Sequence, residues 1–181
     1  MKKQKSGKET KAQHTYAAKI KVVGIGGGGG NAVSRMVSDI GVKGLEFIAV
    51  NTDAQDLDYC QARRKIYIGK NLTKGLGTGM NPELGKQAAE ENRAELTEVL
   101  KGADLVFLTA GLGGGTGSGA MPLIAEVARE TGALVVAVVT KPFSFEGSAR
   151  TRIAQEALVK IKEKVDTLIV IPNDRIFTVI K

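Results

Sequence analysis

The sequence predicts an α/β domain built on a doubly wound, mainly parallel six-stranded sheet of order 3-2-1-4-5-6, with helices on both faces. Three observations predict it. Short apolar runs rich in Val, Ile and Leu alternate with helical patterns of about a dozen residues, the signature of βαβ units. The runs are continuous rather than alternating with polar residues, as in strands covered on both faces. Two glycine-rich stretches each follow a strand and precede a helix, where an open parallel sheet holds its ligands. Right-handed crossovers then select the strand order.

The elements follow in sequence. Ile20–Ile25 reads as a buried strand and Asn31–Ile40 as a short helix, with the first glycine run between them. Leu45–Val50 is the next strand, followed by a short helical stretch from Asp53 to Tyr59, and Lys65–Ile68 has the length of an edge strand. Residues Gly69 to Gly79 are rich in Gly, Thr and Lys without periodicity, and so read as a loop. Asn81 and Pro82 supply an N-cap and a first-turn proline, opening a long helix to about Lys101. Leu105–Thr109 is a strand, Gly111–Gly119 the second glycine loop, and Ala120–Glu130 a helix. Leu134–Thr140 is a valine-rich strand, and Ser148–Lys164 is a helix with Ile153, Ala157, Leu158 and Ile161 on one side. Leu168–Ile171 closes the sheet before Pro172 and Asn173.

At 181 residues, without internal repeats or an internal linker, the chain is one domain. Its composition excludes disordered, collagenous and coiled-coil classes, and no run approaches the ~18 apolar residues of a membrane span. The basic start is followed by no apolar run, so a secretory signal and direct membrane insertion are not expected, and a cytoplasmic location is. Cys60 is the one cysteine, which excludes an internal disulfide. Beside Tyr59 it reads as a small hydrophobe on a helix rather than a nucleophile.

The excess of positive charge is local. Residues 1–21 hold seven lysines against Glu9 alone, and removing them from 26 basic and 19 acidic residues leaves 19 against 18. Nucleic-acid domains carry their basic residues on a folded face, so residues 1–18 are expected to be a flexible, solvated basic tail and no nucleic-acid partner is expected. His14, within that tail, has no role. Residues 19–181 are the folded domain.

The stretch Gly24-Ile25-Gly26-Gly27-Gly28-Gly29-Gly30-Asn31 carries the first chemistry. Glycines there let backbone amides approach an anion at a helix N-terminus. Alone it also satisfies a dinucleotide fingerprint through Gly24, Gly26 and Gly29, with Asp53 near the place of a ribose-binding acid. A nicotinamide-binding oxidoreductase domain is therefore the alternative reading. The second stretch, Gly111-Leu112-Gly113-Gly114-Gly115-Thr116-Gly117-Ser118-Gly119, is what that alternative leaves unexplained. In a 3-2-1-4 order the first and fourth strands are neighbours, so two helix N-termini converge on one site, with Thr116 and Ser118 offering hydroxyls. A polyphosphate suits that arrangement. No G-x-x-x-x-G-K-[ST] occurs, so backbone amides must replace the usual phosphate lysine.

GGGTGSG resembles the signature loop of the tubulin/FtsZ family, and the likeness runs from about Ile20 to Ile180 through GIGGGGGNAV, FIAVNTDAQ, TKGLGTGMNP, VAVVTKPFSFEG and IPNDR. The resemblance implies a guanine-nucleotide-binding domain of a filament-forming cell-division GTPase, taking GTP or GDP with Mg2+. By the same likeness, Gly27, Gly28, Gly29, Gly30 and Asn31 form the first phosphate- and base-contacting loop. Gly114, Gly115, Thr116 and Gly117 wrap the α- and β-phosphates, and Thr78, Gly79, Met80 and Asn81 sense the γ-phosphate. Glu146 and Arg150 approach the ribose, and Asn173 contacts guanine. On residue chemistry alone, Glu146 and Arg150 read equally as a surface ion pair one helical turn apart, and Asn173 as a cap.

The family's guanine-reading aspartate, its acidic loop that positions the attacking water and its C-terminal activation domain have no counterpart among these residues. No catalytic residue and no metal ligand is therefore assigned in this chain. The resemblance implies hydrolysis only with an acidic loop from an adjacent full-length subunit, in head-to-tail filaments at a mid-cell division site, tethered to the membrane through a further C-terminal tail. Alone, the chain is expected to bind nucleotide and to hydrolyse it slowly or not at all, or else to act as a non-catalytic cap on filaments. Apolar surface is expected to be exposed over Leu168–Ile180.

Overall fold

The computed structural model describes residues 17–39 and 44–179. The tail expected over residues 1–18, with His14, lies almost wholly outside them. The elements run β1 (Ile20–Ile25), α1 (Gly26–Asp39), β2 (Leu45–Asn51), α2 (Ala54–Tyr59), β3 (Arg64–Tyr67), α3 (Lys70–Thr73), α4 (Pro82–Glu91) and α5 (Arg93–Leu100). They continue as β4 (Leu105–Gly111), α6 (Gly115–Glu130), β5 (Leu134–Lys141), α7 (Ser148–Lys162), β6 (Thr167–Pro172) and α8 (Ile176–Val179), with 3-10 turns at Ser144–Glu146 and Asn173–Arg175.

The sheet has the predicted order, β3-β2-β1-β4-β5-β6, and every pairing is parallel. Register matters for the site. Ile25, the last residue of β1, pairs with Val50 and Ala110, so β1, β2 and β4 end at nearly the same height. Whatever follows these strands opens on one edge.

The larger core lies on one face, where Val23, Ile25, Val106 and Leu108 of the sheet meet Leu96 of α5, Met121 and Ile124 of α6 and Ile161 of α7. On the other face Val22 and Ala49 pack with Val33 of α1 and Leu57 of α2. Burial of these aliphatic side chains, each worth about 1.5–3 kcal/mol, is what holds the layers together. The sheet is covered on both faces, most tightly at β1 and β2, and Phe107 of β4 packs against the second cluster too. β4 alternates between buried and half-buried residues, but β6 is exposed along most of its length. Ile169, Ile171, Ile176 and Phe177 are exposed, and Phe177 joins an aromatic cluster with Phe143 and Phe145, so the expected apolar surface is present.

Four local readings are corrected. The glycine run is not a loop: α1 begins at Gly26, because Gly29 must lie directly on β4, where an added Cβ would run into the Thr109 carbonyl. Similarly, β4 continues to Gly111 and α6 starts at Gly115, which leaves Leu112–Gly114 as the true turn. Residues 69–79 contain α3, one helical turn between Gly69 and Lys74, both left-handed. The single helix expected to Lys101 breaks at Asn92, whose Oδ1 accepts from Gly69 N (3.0 Å) while Nδ2 donates to Glu95 (2.9 Å). Cys60 is buried as expected, but it caps the end of α2, with Sγ 3.4 Å from the Gly30 carbonyl.

Candidate functional site

The carboxyl edge of the sheet carries a cleft of about 540 Å3, within the usual range of ligand pockets. Its floor is the switch point between β1 and β4. Gly26, Gly27 and Gly28 line it from α1, and Gly114, Gly115, Thr116 and Gly117 from the start of α6. One wall is Leu76 to Met80, and the opposite end holds Glu146, Arg150 and Asn173. A smaller groove of about 300 Å3 between α4, α6 and α7 touches Ser118 but none of the residues assigned above to nucleotide binding.

The sequence makes this edge a donor surface. A helix leaves its first amides without intrahelical partners, and a side-chain cap normally takes one or two of them. Gly114, the N-cap of the 16-residue α6, supplies no such bond, so the first-turn amides and the positive end of the helix dipole face the cleft. The first turn of α1 is all glycine, with Gly26 at φ 70°, and carries no side chain to shield its amides. Gly115 fits because it has no Cβ, which would run into the Thr78 hydroxyl and lie 2.7 Å from the Asn81 carbonyl. The loop and the helix end thus interlock.

Hydroxyls take different parts from those expected. Ser118 does not face the cleft; its Oγ accepts from Gly113 N (2.9 Å) and fixes the turn before α6. Thr116 Oγ1 lies 2.6 Å from Thr52 Oγ1 and 3.1 Å from Thr78 Oγ1. Glu146 and Arg150 do pair, at 3.0 Å, but not within one continuous helix. Glu146 ends a 3-10 turn and its second oxygen accepts from Phe143 N (2.9 Å), while Arg150 belongs to α7. Asn173 opens a 3-10 turn after β6, with Pro172 at the N-cap position, rather than itself capping the last helix.

Of the predicted residues, the structure gathers Gly27, Gly28, Thr78, Gly79, Met80, Gly114, Gly115, Thr116, Gly117, Glu146, Arg150 and Asn173 around one space. It does not bring four others to it. Gly29 is packing against Thr109. Gly30 and Asn31 line a narrow recess that adjoins the cleft, sharing Gly26, Gly27, Asn51 and Asp56 with it. Asn81 caps α4, its Oδ1 accepting from Glu83 N (3.1 Å) and Leu84 N (3.2 Å). Asn51, Asp56, Gly111 and Thr140 also line the cleft and went unassigned, as did Asp53 except in the nicotinamide reading. The parallel register of β2 with β1 was the signal for Asn51 and Asp53, since residues past either strand share an edge.

Side-chain charge in the cleft is negative. Asp53, Asp56 and Glu146 face Arg150 alone, and Arg150 is already paired. Asp53 spends Oδ1 on the Gln55 and Asp56 amides at the start of α2, which leaves it poorly placed as a free ribose-binding acid. Among the described residues no group of three or more His, Cys, Asp or Glu side chains is placed to hold a metal ion. None of the helices among them is long and apolar enough to cross a membrane.

The tubulin/FtsZ family GTPase-domain model matches residues 19–181. Among solved structures, an empty FtsZ dimer from M. jannaschii is 47% identical, covers 92% of this chain and 48% of its own, and superposes with a TM-score of 0.89. The GDP-bound CetZ1 monomer from Haloferax volcanii is 30% identical over 86% of this chain and 51% of its own (TM-score 0.79). The CetZ2 protofilament with GTPγS, from the same organism, is 29% identical over 86% and 49% (TM-score 0.80). The chain therefore spans about half the length of these structures.

Proposed function

The chain belongs to the tubulin/FtsZ family as its GTPase domain, and on that premise we propose that it binds GTP or GDP in the cleft, phosphates across the N-termini of α1 and α6. One observation carries the reading: two helix starts without capping side chains meet at the β1/β4 switch point. The terminal phosphate lies toward Leu76–Met80, and the nucleoside end toward Glu146, Arg150 and Asn173. Mg2+ carried by the nucleotide would neutralise phosphate charge that Asp53, Asp56 and Glu146 would otherwise repel. The amides of Gly115, Thr116 and Gly117 donate to phosphate oxygens and withdraw charge from the leaving group.

In the full-length protein this domain works in a filament-forming GTPase of cell division. Water is positioned for attack by acidic residues of the next subunit, and head-to-tail contacts propagate an open polymer. The GDP and GTPγS named for the two CetZ neighbours support the binding part, and the FtsZ dimer and CetZ2 protofilament support self-association. Residues 19–181 by themselves are binding-competent and slow in hydrolysis, because the residues that position water come from the adjacent subunit.

Calorimetric titration of the chain with GTP, GDP, ATP and NADH in Mg2+ tests the binding step. Saturable binding of both guanine nucleotides and none of NADH is expected. Binding of NADH alone would overturn it. Substoichiometric addition to a full-length relative, followed by light scattering, reads the assembly part: the chain lowers polymer yield if its cleft face accepts a neighbour.

A further inference from the structure

Thr52 lines no part of the cleft and is fully buried, yet it holds two of its walls. Its carbonyl accepts from Gly77 N (3.3 Å) and from Thr73 Oγ1 (3.1 Å), which ties down the segment leading to Thr78. Ala54 N donates to the Gly75 carbonyl (3.2 Å) and Asp53 bridges Leu76, so the segment is pinned to the end of β2 at several points. Lys74, Gly75, Gly77 and Gly79 all have positive φ, so no regular backbone ladder runs through it. The Thr52 hydroxyl lies 2.6 Å from Thr116 Oγ1, which in turn lies 3.1 Å from Thr78 Oγ1.

Three hydroxyls bring three protons to two hydrogen bonds, so one proton is left over. Among the described residues Thr116 Oγ1 is the one partner of Thr52 Oγ1. If Thr52 accepted, its own proton would be buried without an acceptor, which a buried hydroxyl avoids. Thr52 therefore donates to Thr116. Having accepted, Thr116 is polarised and is the better donor of the remaining pair, so it donates to Thr78 and the surplus proton falls to Thr78, which lines the cleft.

We infer that Thr52 is a positioning residue for the nucleotide's terminal phosphate: its buried hydroxyl orients Thr116 and, through it, Thr78, so that one hydroxyl proton is presented to an anion beside the Leu76–Met80 wall. This rests on the guanine-nucleotide reading above. The relay distinguishes a triphosphate, which reaches that wall, from a diphosphate, which ends over the helix N-termini. A purely structural role for Thr52 would lower stability and weaken both ligands alike.

The test compares affinities for GTPγS and GDP in the wild-type chain and in Thr52→Val, Thr52→Ser, Thr78→Ala and the Thr52→Val/Thr78→Ala double variant, with a thermal melt of each. Thr52→Val keeps the shape and the carbonyl but deletes the hydroxyl. It is expected to lower the ratio of GTPγS to GDP affinity by about threefold to tenfold, the effect of one hydrogen bond. Thr78→Ala should do the same, the double variant no more than either, and Thr52→Ser should retain the ratio. Equal weakening of both nucleotides by Thr52→Val, an unmoved ratio, or losses that add in the double variant would overturn the relay. Should Thr52→Val not fold, Thr78→Ala against Thr78→Ser decides, because that side chain borders the cleft: a wild-type ratio in the alanine variant overturns the relay. A wild-type chain that binds neither nucleotide overturns the underlying reading instead.

Discussion

Replacing Gly115 with alanine tests the interlocked geometry most directly. The new Cβ would meet the Thr78 hydroxyl and sit 2.7 Å from the Asn81 carbonyl oxygen and 2.8 Å from its nitrogen. Asn81 is held as the N-cap of α4, so its backbone has little room to retreat. Reaching an ordinary contact of 3.4 Å requires the loop and the start of α6 to part by about 0.7 Å. Overpacking of this kind costs about 1–3 kcal/mol. At roughly 2–4 °C per kcal/mol for a domain of this size, the melting temperature falls by about 2–12 °C. The same displacement moves the Gly115 and Thr116 amides off the phosphates. A hydrogen bond to a charged group is worth about 1.5–3 kcal/mol, so losing one weakens GDP binding roughly 10- to 150-fold. Gly114→Ala is the control, since its φ is −92° and an added Cβ there meets nothing within 4 Å. It should melt with the wild type. Differential scanning fluorimetry and calorimetric titration read the two quantities. A Gly115→Ala chain that melts within about 1 °C of wild type and binds GDP unchanged would refute the interlock.

Arg150→Ala should change stability by less than about 0.5 kcal/mol, because its pair with Glu146 is a half-exposed i,i+4 contact. GDP affinity should nevertheless fall measurably, and titration at matched ionic strength checks this. Chelating Mg2+ with EDTA should weaken GTP more than GDP, since three cleft carboxylates repel the more highly charged tail; the ratio of the two affinities with and without the ion is the readout. The Glu126 carboxyl is held below the ordinary carboxylate value, chiefly by its hydrogen bond from Lys164 and next by Arg93. A depressed folded value adds stability above the ordinary carboxylate range and loses it as pH falls through the depressed one. Urea midpoints of Glu126→Gln and wild type should therefore differ at neutral pH and converge as pH falls below the ordinary carboxylate range.

How far the sequence foretold the structure depended on whether a residue's role is set locally or across the sheet. The strands were legible because each is a short aliphatic run, and their order followed from chirality. The two glycine-rich stretches that line the cleft were legible because few other demands require glycine so densely. Where α1 begins was not, since glycine has the poorest helix propensity after proline and Gly26–Gly29 read as loop. Close seating of Gly29 on β4 overrides that propensity, and only the packed sheet reveals it. The break at Asn92 was equally hidden, because it answers to the amide of Gly69, 23 residues away. Asp56 reaches the cleft through the turn after β2, and Ser118 leaves it through a bond to Gly113; neither is visible in spacing.

Charge explains why the cleft is built from amides. A lysine would bind any phosphate as a point charge, with or without a metal ion. Here the cationic side chain within reach is Arg150, already paired, and Asp53, Asp56 and Glu146 outweigh it. Such a cleft disfavours a bare polyanion at long range and attracts one only at close range, where the first-turn amides of two helices act together. Coulomb repulsion falls off slowly with distance, whereas amide donation requires contact at about 2.9 Å. A ligand that arrives with part of its charge neutralised by a divalent cation meets less of the first effect and all of the second. On the proposed reading, three carboxylates around two glycine-led helices favour a metal-bound polyphosphate over inorganic anions.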